Sequence, residues 1–171
     1  MPALRPLRNE DTSEVLRLNR AAAPAVFALD ASELARLLAL SPLHQAAAQD
    51  DGDLAGYVLA FAHDHPYDGE EFLALRSLMN APFVYVDQIV VNPDTRAAGI
   101  GRMLYQALTE QAHRLGATVL CCEVNLIPPN PASLAFHHRM GFAAIGEMET
   151  SDGRRVVLLR KDLQAPATMR P

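Results

Sequence analysis

The stretch FVYVDQIVVNPDTRAAGIGRMLYQAL, from Phe83 to Leu108, limits the possible folds more than any other part of the chain. FVYVDQIVV has apolar residues on both faces of a strand, because successive strand side chains point to opposite sides. Such a run needs cover on both sides and predicts a central strand. IGRMLYQALTEQAHRLG is an amphipathic helix, with Leu104, Leu108, Gln111 or Ala112, and Leu115 at helical spacing and Gly116 as its stop. Between strand and helix stand Gly99 and Gly101, although glycine weakens helices. A strand, a tight glycine turn and a helix N-terminus together make an anion site, where free N–H groups and the helix dipole point at one spot. Without Cβ atoms, Gly99 and Gly101 let a phosphate approach the main chain, and Arg102 adds charge. No Gly-Lys-Ser/Thr follows, which excludes a P-loop. Leu104 stands where a dinucleotide fingerprint needs its third glycine. What remains is Arg-x-x-Gly-x-Gly, for a phosphate-bearing ligand or as a plain packing turn.

The other segments alternate between the two periodicities. ALRPLRNEDTSEVLRLNRAAA reads as a short strand and a helix capped by Asp11 or Thr12. DASELARLLAL is a second helix, capped by Asp30 or Ser32 and stopped by Pro42. A hairpin follows, with strands over 44–49 and 54–62 about the Asp51-Gly52 turn. The connection from His63 to Pro82 is long enough to cover a site and carries a helix from Glu70 to Met79. In it, Tyr67, Phe72, Leu75 and Met79 form either an apolar lid or ordinary packing. TVLCCEVN is a buried strand. NPASLAFHHRMG is a helix with Asn130 as cap and Pro131 at the first position, closing at Gly141. FAAIGEME and RRVVLLRKDL form a last hairpin across Ser151-Asp152-Gly153. The sum is a mixed α/β protein with central strands and helices on both faces, one domain over 1–164 and a short tail over 165–171.

Charge and cysteine usage narrow the partners. A formal charge of −5 argues against nucleic acid, which needs clustered Lys and Arg. Cys121 and Cys122 are the only cysteines and, being adjacent on a strand, point apart, which suits a reducing compartment. No targeting signal opens the chain, and no apolar run approaches the ~20 residues that span a bilayer. A cytoplasmic protein without a membrane partner is expected. His63 and His65, two apart on a strand, share a face, but no second Cys or His pair completes a metal set, so no metal is expected. An α/β hydrolase is excluded, since Gly-x-Ser-x-Gly is absent.

Three pieces, in order and at matching spacing, resemble the GNAT superfamily of acyl-CoA-dependent N-acetyltransferases. VDQIVVNPDTRAAGIGRMLYQAL resembles the family's fourth strand, pyrophosphate loop and third helix. ATVLCCEVN resembles its fifth strand, and NPASLAFHHRMGF its fourth helix. The resemblance extends over most of Ala3–Leu163. It implies a mostly antiparallel, twisted sheet of about seven strands, with strands four and five splayed apart. It implies acetyl-CoA as co-substrate, with the amides of Arg96, Ala97, Ala98, Gly99, Ile100, Gly101 and Arg102 on its pyrophosphate. Backbone groups of Ile89, Val90 and Val91 would take the pantetheine, and Asn130, Ser133, Phe136 and His137 fall at positions touching the CoA arm.

The reaction implied is transfer of an acetyl group to a primary amine by direct attack in a ternary complex. The amine attacks only when neutral, so a base is needed. Glu123 matches a base position in part of the family; otherwise it is a strand-end charge bound to backbone or to an arginine. Asp87, an acid within an apolar strand, is a second candidate base, or binds the acceptor's amine, or bridges to Arg139 or Tyr85. His137 departs from the pattern, standing where the family places a tyrosine that protonates the leaving thiolate. An imidazole can still do so; otherwise His137 or His138 binds a carbonyl or faces water. The departure keeps a second reading open, a catalytically idle module that senses acyl-CoA. The acceptor, a small-molecule or peptide amine, is not legible in the sequence. A homodimer is one possible state, as similar proteins often dimerise.

Overall fold

The computed structural model describes residues 1–166; of the expected tail, residues 167–171 lie outside the described residues. In chain order the elements are β1 (Ala3–Pro6), α1 (Thr12–Ala22), α2 (Ala31–Leu40), β2 (Gln45–Ala48), β3 (Leu54–Ala62), α3 (Glu70–Leu78), β4 (Phe83–Val91), α4 (Ile100–Arg114), β5 (Val119–Ile127), α5 (Pro131–Arg139), β6 (Ala143–Glu149) and β7 (Arg155–Asp162). The seven strands form one sheet in the order β1-β2-β3-β4-β5-β7-β6. Pairing is antiparallel for β1–β2, β2–β3, β5–β7 and β6–β7, and parallel for β4–β5, whose register runs from Phe83↔Val119 to Val86↔Cys122. The seven-stranded, mostly antiparallel sheet is the expected one. By contact the chain divides into two compact units, 1–61 with 87–108, and 62–86 with 109 onward.

In the first unit, β3 is buried along its whole length, which requires cover on both faces of the sheet at that strand. One face is met by α4. A Cβ placed on Gly56 would lie 2.7 Å from the Val90 carbonyl oxygen and 3.1 Å from Ile100 Cγ2, so only glycine allows β3, β4 and the first turn of α4 to come this close. On the alternate face Tyr57 donates from its hydroxyl to Gln88 Oε1 at 2.9 Å, and Asn19 of α1 donates to the same oxygen at 3.0 Å. Burial pushes the Tyr57 hydroxyl's pKa upward, so it stays protonated and donates. Asn19 and Gln88 also donate to the Phe27 carbonyl, each at 2.9 Å, and Asn19 Oδ1 accepts from Leu29 N. Three buried side chains thus fasten the α1–α2 connection to β3 and β4.

Two N-terminal expectations are corrected. Asp11 does not cap α1: its carboxylate takes both guanidinium nitrogens of Arg5 at 2.8 and 2.7 Å and the Arg8 amide at 2.8 Å, and Thr12 turns back to the Asn9 carbonyl. A nearby arginine offering two charge-assisted bonds outcompetes a single capping bond. The strand expected from His44 begins at Gln45, because His44 is a buried bridge. Its Nδ1 accepts from Ala60 N at 3.0 Å while Nε2 donates to the Leu37 carbonyl at 2.8 Å. Asp30 caps α2 as expected, accepting from Glu33 N.

In the second unit, Phe72 and Leu75 of α3 are fully buried, with Phe72 5.5 Å from Tyr85 and 6.1 Å from Phe83 between ring centroids. Of the four apolar residues named in this connection, Phe72 and Leu75 are core packing, while Tyr67 and Met79 are half-buried. His63 and His65 lie in a turn after β3, so they do not share a strand face; His65 Nδ1 accepts from Ala62 N. Leu115 lies beyond α4 and is exposed, outside the core its spacing suggested. Cys121 and Cys122 are buried thiols outside any disulfide, and burial pushes the Cys121 thiol up to about 12.

Gly56→Ala should lower unfolding free energy by about 1–3 kcal/mol, since a backbone oxygen blocks the new methyl and cannot swing aside. Urea denaturation measures this; a loss below half that range would mean the three elements have room to part.

Candidate active site

The first unit supplies the connection from β4 to α4. It is fastened at its start. Asn92, buried, donates from Nδ2 to the Leu54 carbonyl at 3.3 Å and accepts from Asp94 N at 3.1 Å, while its own amide bonds the Ala55 carbonyl at 2.8 Å. Thr95 Oγ1 donates to the carbonyls of Ala55 and Asn92, at 3.1 and 3.0 Å. Beyond this clamp Arg96, Ala97, Ala98 and Gly99 are exposed. Ala97 and Gly99 have φ of 72° and 74°, so left-handed residues alternate with Ala98. Alternation of this kind turns consecutive amides toward one concave side and favours anions.

Gly99 is the residue before α4, and its carbonyl accepts from Met103 N at 3.0 Å. A glycine there has no side chain to satisfy the first-turn amides of Ile100, Gly101 and Arg102, so they are left to a ligand or water. The positive end of the helix dipole adds to them. Ile100 and Gly101 are buried and Arg102 is exposed. Ile89 and Val91 on β4 are half-buried beside buried Val90. Asp87 is half-buried on the same strand.

Two of the acid–base candidates, Glu123 and His137, lie within the second unit. Tyr85 is fully buried, and its hydroxyl donates to Glu123 Oε2 at 2.7 Å. Tyr67 stacks on Tyr85 with 6.2 Å between ring centres. Glu123, half-buried on β5, is therefore held in one orientation by a donor on the neighbouring strand. Asn130 caps α5, its Oδ1 accepting from Ser133 N at 3.3 Å.

His137 is buried between two rings, edge-on to Phe136 and Phe142 at 5.3 Å each. Its Nδ1 lies 2.8 Å from the Ser133 carbonyl. A carbonyl only accepts, so Nδ1 carries the proton, and in the neutral ring Nε2 is an acceptor. Burial lowers the imidazole pKa below its ordinary value; the Ser133 carbonyl opposes this and His138 adds to it. Phe136 is half-buried.

Asn92, Thr95 and Gly56, which hold the phosphate-type loop, escaped the sequence reading. Asn92 and Thr95 flank Pro93-Asp94 in the pattern of a side-chain-capped turn, a signal present in NPDT. Gly56 carried none beyond being a glycine within a strand. Tyr85 was named only as a contact of Asp87; its bond goes to Glu123.

The family model for the acetyltransferase (GNAT) family matches residues 9–142, and the chain belongs to that family. Among solved structures, Naa20 of Chaetomium thermophilum in complex with a bisubstrate analogue is 18% identical, with 98% of this chain and 90% of that one covered and a TM-score of 0.76. The ribosomal-protein-S18-alanine N-acetyltransferase of Escherichia coli is 17% identical, with both chains covered in full and a TM-score of 0.69. The protein yncA of Salmonella typhimurium, solved with its cofactor acetyl-CoA, is 19% identical, with 100% of this chain and 98% of that one covered and a TM-score of 0.69. At these identities the likeness is one of fold. A search of curated proteins finds no match.

The lowered folded-state pKa of His137 gives a signed expectation for stability. Above about 6.5 the ring is neutral folded and unfolded, and pH has no effect through it. As pH falls below that value the unfolded chain binds a proton that the native ring resists, so stability is lost down to the folded pKa. His65, also lowered by burial, adds the same sign. Between pH 7.5 and pH 5.5, wild type should therefore lose more Tm than His137→Gln; equal losses in thermal melts would remove His137 from the account.

Proposed function

We propose that this chain transfers an acetyl group from acetyl-CoA to a primary amine, with both substrates bound together. The observation that carries the reading is the helix start at Gly99–Arg102, where first-turn amides, a side-chain-free cap and left-handed Ala97 and Gly99 make an anion seat. That seat suits a diphosphate, and the solved likeness bound to acetyl-CoA supports the choice. The loop from Arg96 to Arg102 would hold the pyrophosphate, and main-chain groups of Ile89 to Val91 would hold the pantetheine. Asn130, Ser133 and Phe136 are proposed along the CoA arm.

Glu123 is the base we favour. A carboxylate fixed by the Tyr85 hydroxyl is oriented for proton transfer. Asp87 is proposed as a contact of the acceptor's amine. The new bond forms between amine nitrogen and acetyl carbon, the amine proton passes to Glu123, and the carbon–sulfur bond breaks to give CoA thiolate. The acceleration would come largely from holding the two substrates together.

His137 bears a different load from that of a tyrosine. In its neutral form the one N–H is spent on the Ser133 carbonyl, and Nε2 has no proton to give. This supports a role in fixing α5 over direct proton donation, with water as donor to the thiolate. The same observation favours the second reading, a domain that binds acyl-CoA without turning it over.

Two measurements separate these readings. Acetyl-CoA should raise Tm under either; release of free thiol in the presence of amines, amino acids or alanine-initiated peptides occurs only under the first. No thiol release across such a panel, with binding intact, would leave the sensing module. Gly101→Glu should lower acetyl-CoA affinity by about two orders of magnitude or more, because a carboxylate is set among amides that bind anions; calorimetry on a folded variant reads this, and retained tight binding would place the cofactor elsewhere. Glu123→Gln should cut kcat by about 100- to 10,000-fold with little change in acetyl-CoA affinity. Steady-state kinetics showing turnover near wild type would move the base to another group.

A further inference from the structure

A group of charges around the β6–β7 turn has no part in the reaction described so far. Arg154, half-buried, donates through Nη2 to Glu71 Oε1 at 3.0 Å, through Nε to Asp152 Oδ2 at 2.9 Å, and through Nη1 to Asn125 Oδ1 at 3.1 Å. Glu71 and Asn125 are buried. Beside them Ser151 donates from its amide and hydroxyl to the two carboxylate oxygens of Glu70, at 2.8 and 2.6 Å. One guanidinium therefore joins the start of α3, the β6–β7 turn and β5.

Its position on β5 matters. Asn125 follows Glu123 by two residues, and the register Glu123↔Leu158, Val124↔Val157, Asn125↔Val156 is unbroken between them. Strand alternation turns both side chains to one face, about 7 Å apart along the chain. The same face carries Cys121, opposite Tyr85 on β4, whose hydroxyl holds Glu123. Helix α3 lies over it through Phe72 against Tyr85 and Phe83.

The ionisable groups on the surrounding elements are Tyr85 on β4, with Asp87 two residues further along that strand; Glu70 and Glu71 on α3; Asp152 and Arg154 in the turn; and Arg160 with Asp162 on β7. Helix α5, which packs on β5, adds His137, His138 and Arg139. Arg160 is turned to Asp162 and the Met79 sulfur. Arg154 is the cation bonded to β5 on the face of Glu123.

We infer that Arg154 is a positioning residue for the acid–base step: held by Glu71 and Asp152 and bonded to Asn125, two residues along β5 from Glu123, its guanidinium sets the proton affinity of that carboxylate. The inference rests on Glu123 as base for its catalytic meaning, though not for its electrostatic one. A cation bonded to the same face of the strand, at a half-buried position, favours the carboxylate over the acid. Glu71 and Asp152 oppose it. Removing the cation leaves those acids uncompensated and raises Glu123's titration midpoint; neutralising Glu71 lowers it. A purely structural clamp would change melting temperature and leave the midpoint where it is.

The test is a 13C-detected titration of glutamate carboxyls in the full chain, with Glu123→Gln assigning the resonance. Arg154→Met should raise the Glu123 midpoint by about half a pH unit to one unit, Arg154→Lys should recover most of that shift, and Glu71→Gln should lower the midpoint. An unmoved midpoint in folded Arg154→Met overturns the inference. If Arg154→Met does not fold, Glu71→Gln decides: a lowered midpoint upholds the inference and an unchanged one overturns it. The acid limb of kcat/KM should move with the midpoint. A moved midpoint with a stationary limb rejects Glu123 as base while upholding the charge coupling, so the two failures are told apart.

Discussion

The close approach of β3, β4 and α4 at Gly56 governs the first unit. With the Val90 carbonyl oxygen 2.7 Å and Ile100 Cγ2 3.1 Å from the place a Cβ would take, α4 begins directly against β3. The chain then has only the segment Asn92–Gly99 in which to reverse direction. Asn92 and Thr95 tie that segment to the carbonyls of Leu54 and Ala55, which spends the polar groups of the turn's first half. In the second half the Arg96 and Ala98 amides bond back to the Pro93 and Thr95 carbonyls, at 3.4 and 3.2 Å. The anion seat is therefore centred on the first turn of α4, whose amides have no carbonyl behind them.

The second unit handles charge differently. Glu123, Glu71 and Arg154 are partly or largely withdrawn from water, and each has a hydrogen-bonding partner in another segment. A buried ion pair contributes less to stability than its Coulomb attraction suggests, because desolvation offsets most of it. What such a pair does reliably is fix geometry: here, the angle of α3 over β5 and the orientation of one carboxylate. Histidine is used in the same way. His44 bridges Ala60 and Leu37, and His137 bonds Ser133, each in a defined tautomer that a proton would disturb.

Much of the fold was legible because its signals are local. The Asp51-Gly52 turn, the Asp30 and Asn130 caps and the apolar run of β4 each declare themselves within a few residues, and each appears where it was expected. Asp11 misled because its partner Arg5 sits on the other side of a turn, where pattern reading sees a cap. His63 and His65 misled because their two-residue spacing reads as one strand face, although β3 ends at Ala62, as expected, and both lie beyond it.

By itself the sequence determined the order strand, glycine loop, helix, and with it the chemistry of one end of the site, because glycine's freedom and a helix's unpaired amides are properties of adjacent residues. Only the tertiary structure decided which donor holds Glu123, where Arg154 places its charge and which nitrogen of His137 carries the proton. Tyr85 and Glu123 are 38 residues apart, and Glu71 and Arg154 are 83 apart. Hydrogen bonds and ion pairs act over about 3 Å, so partners that far apart in sequence are chosen by how the sheet is threaded, which no short stretch records.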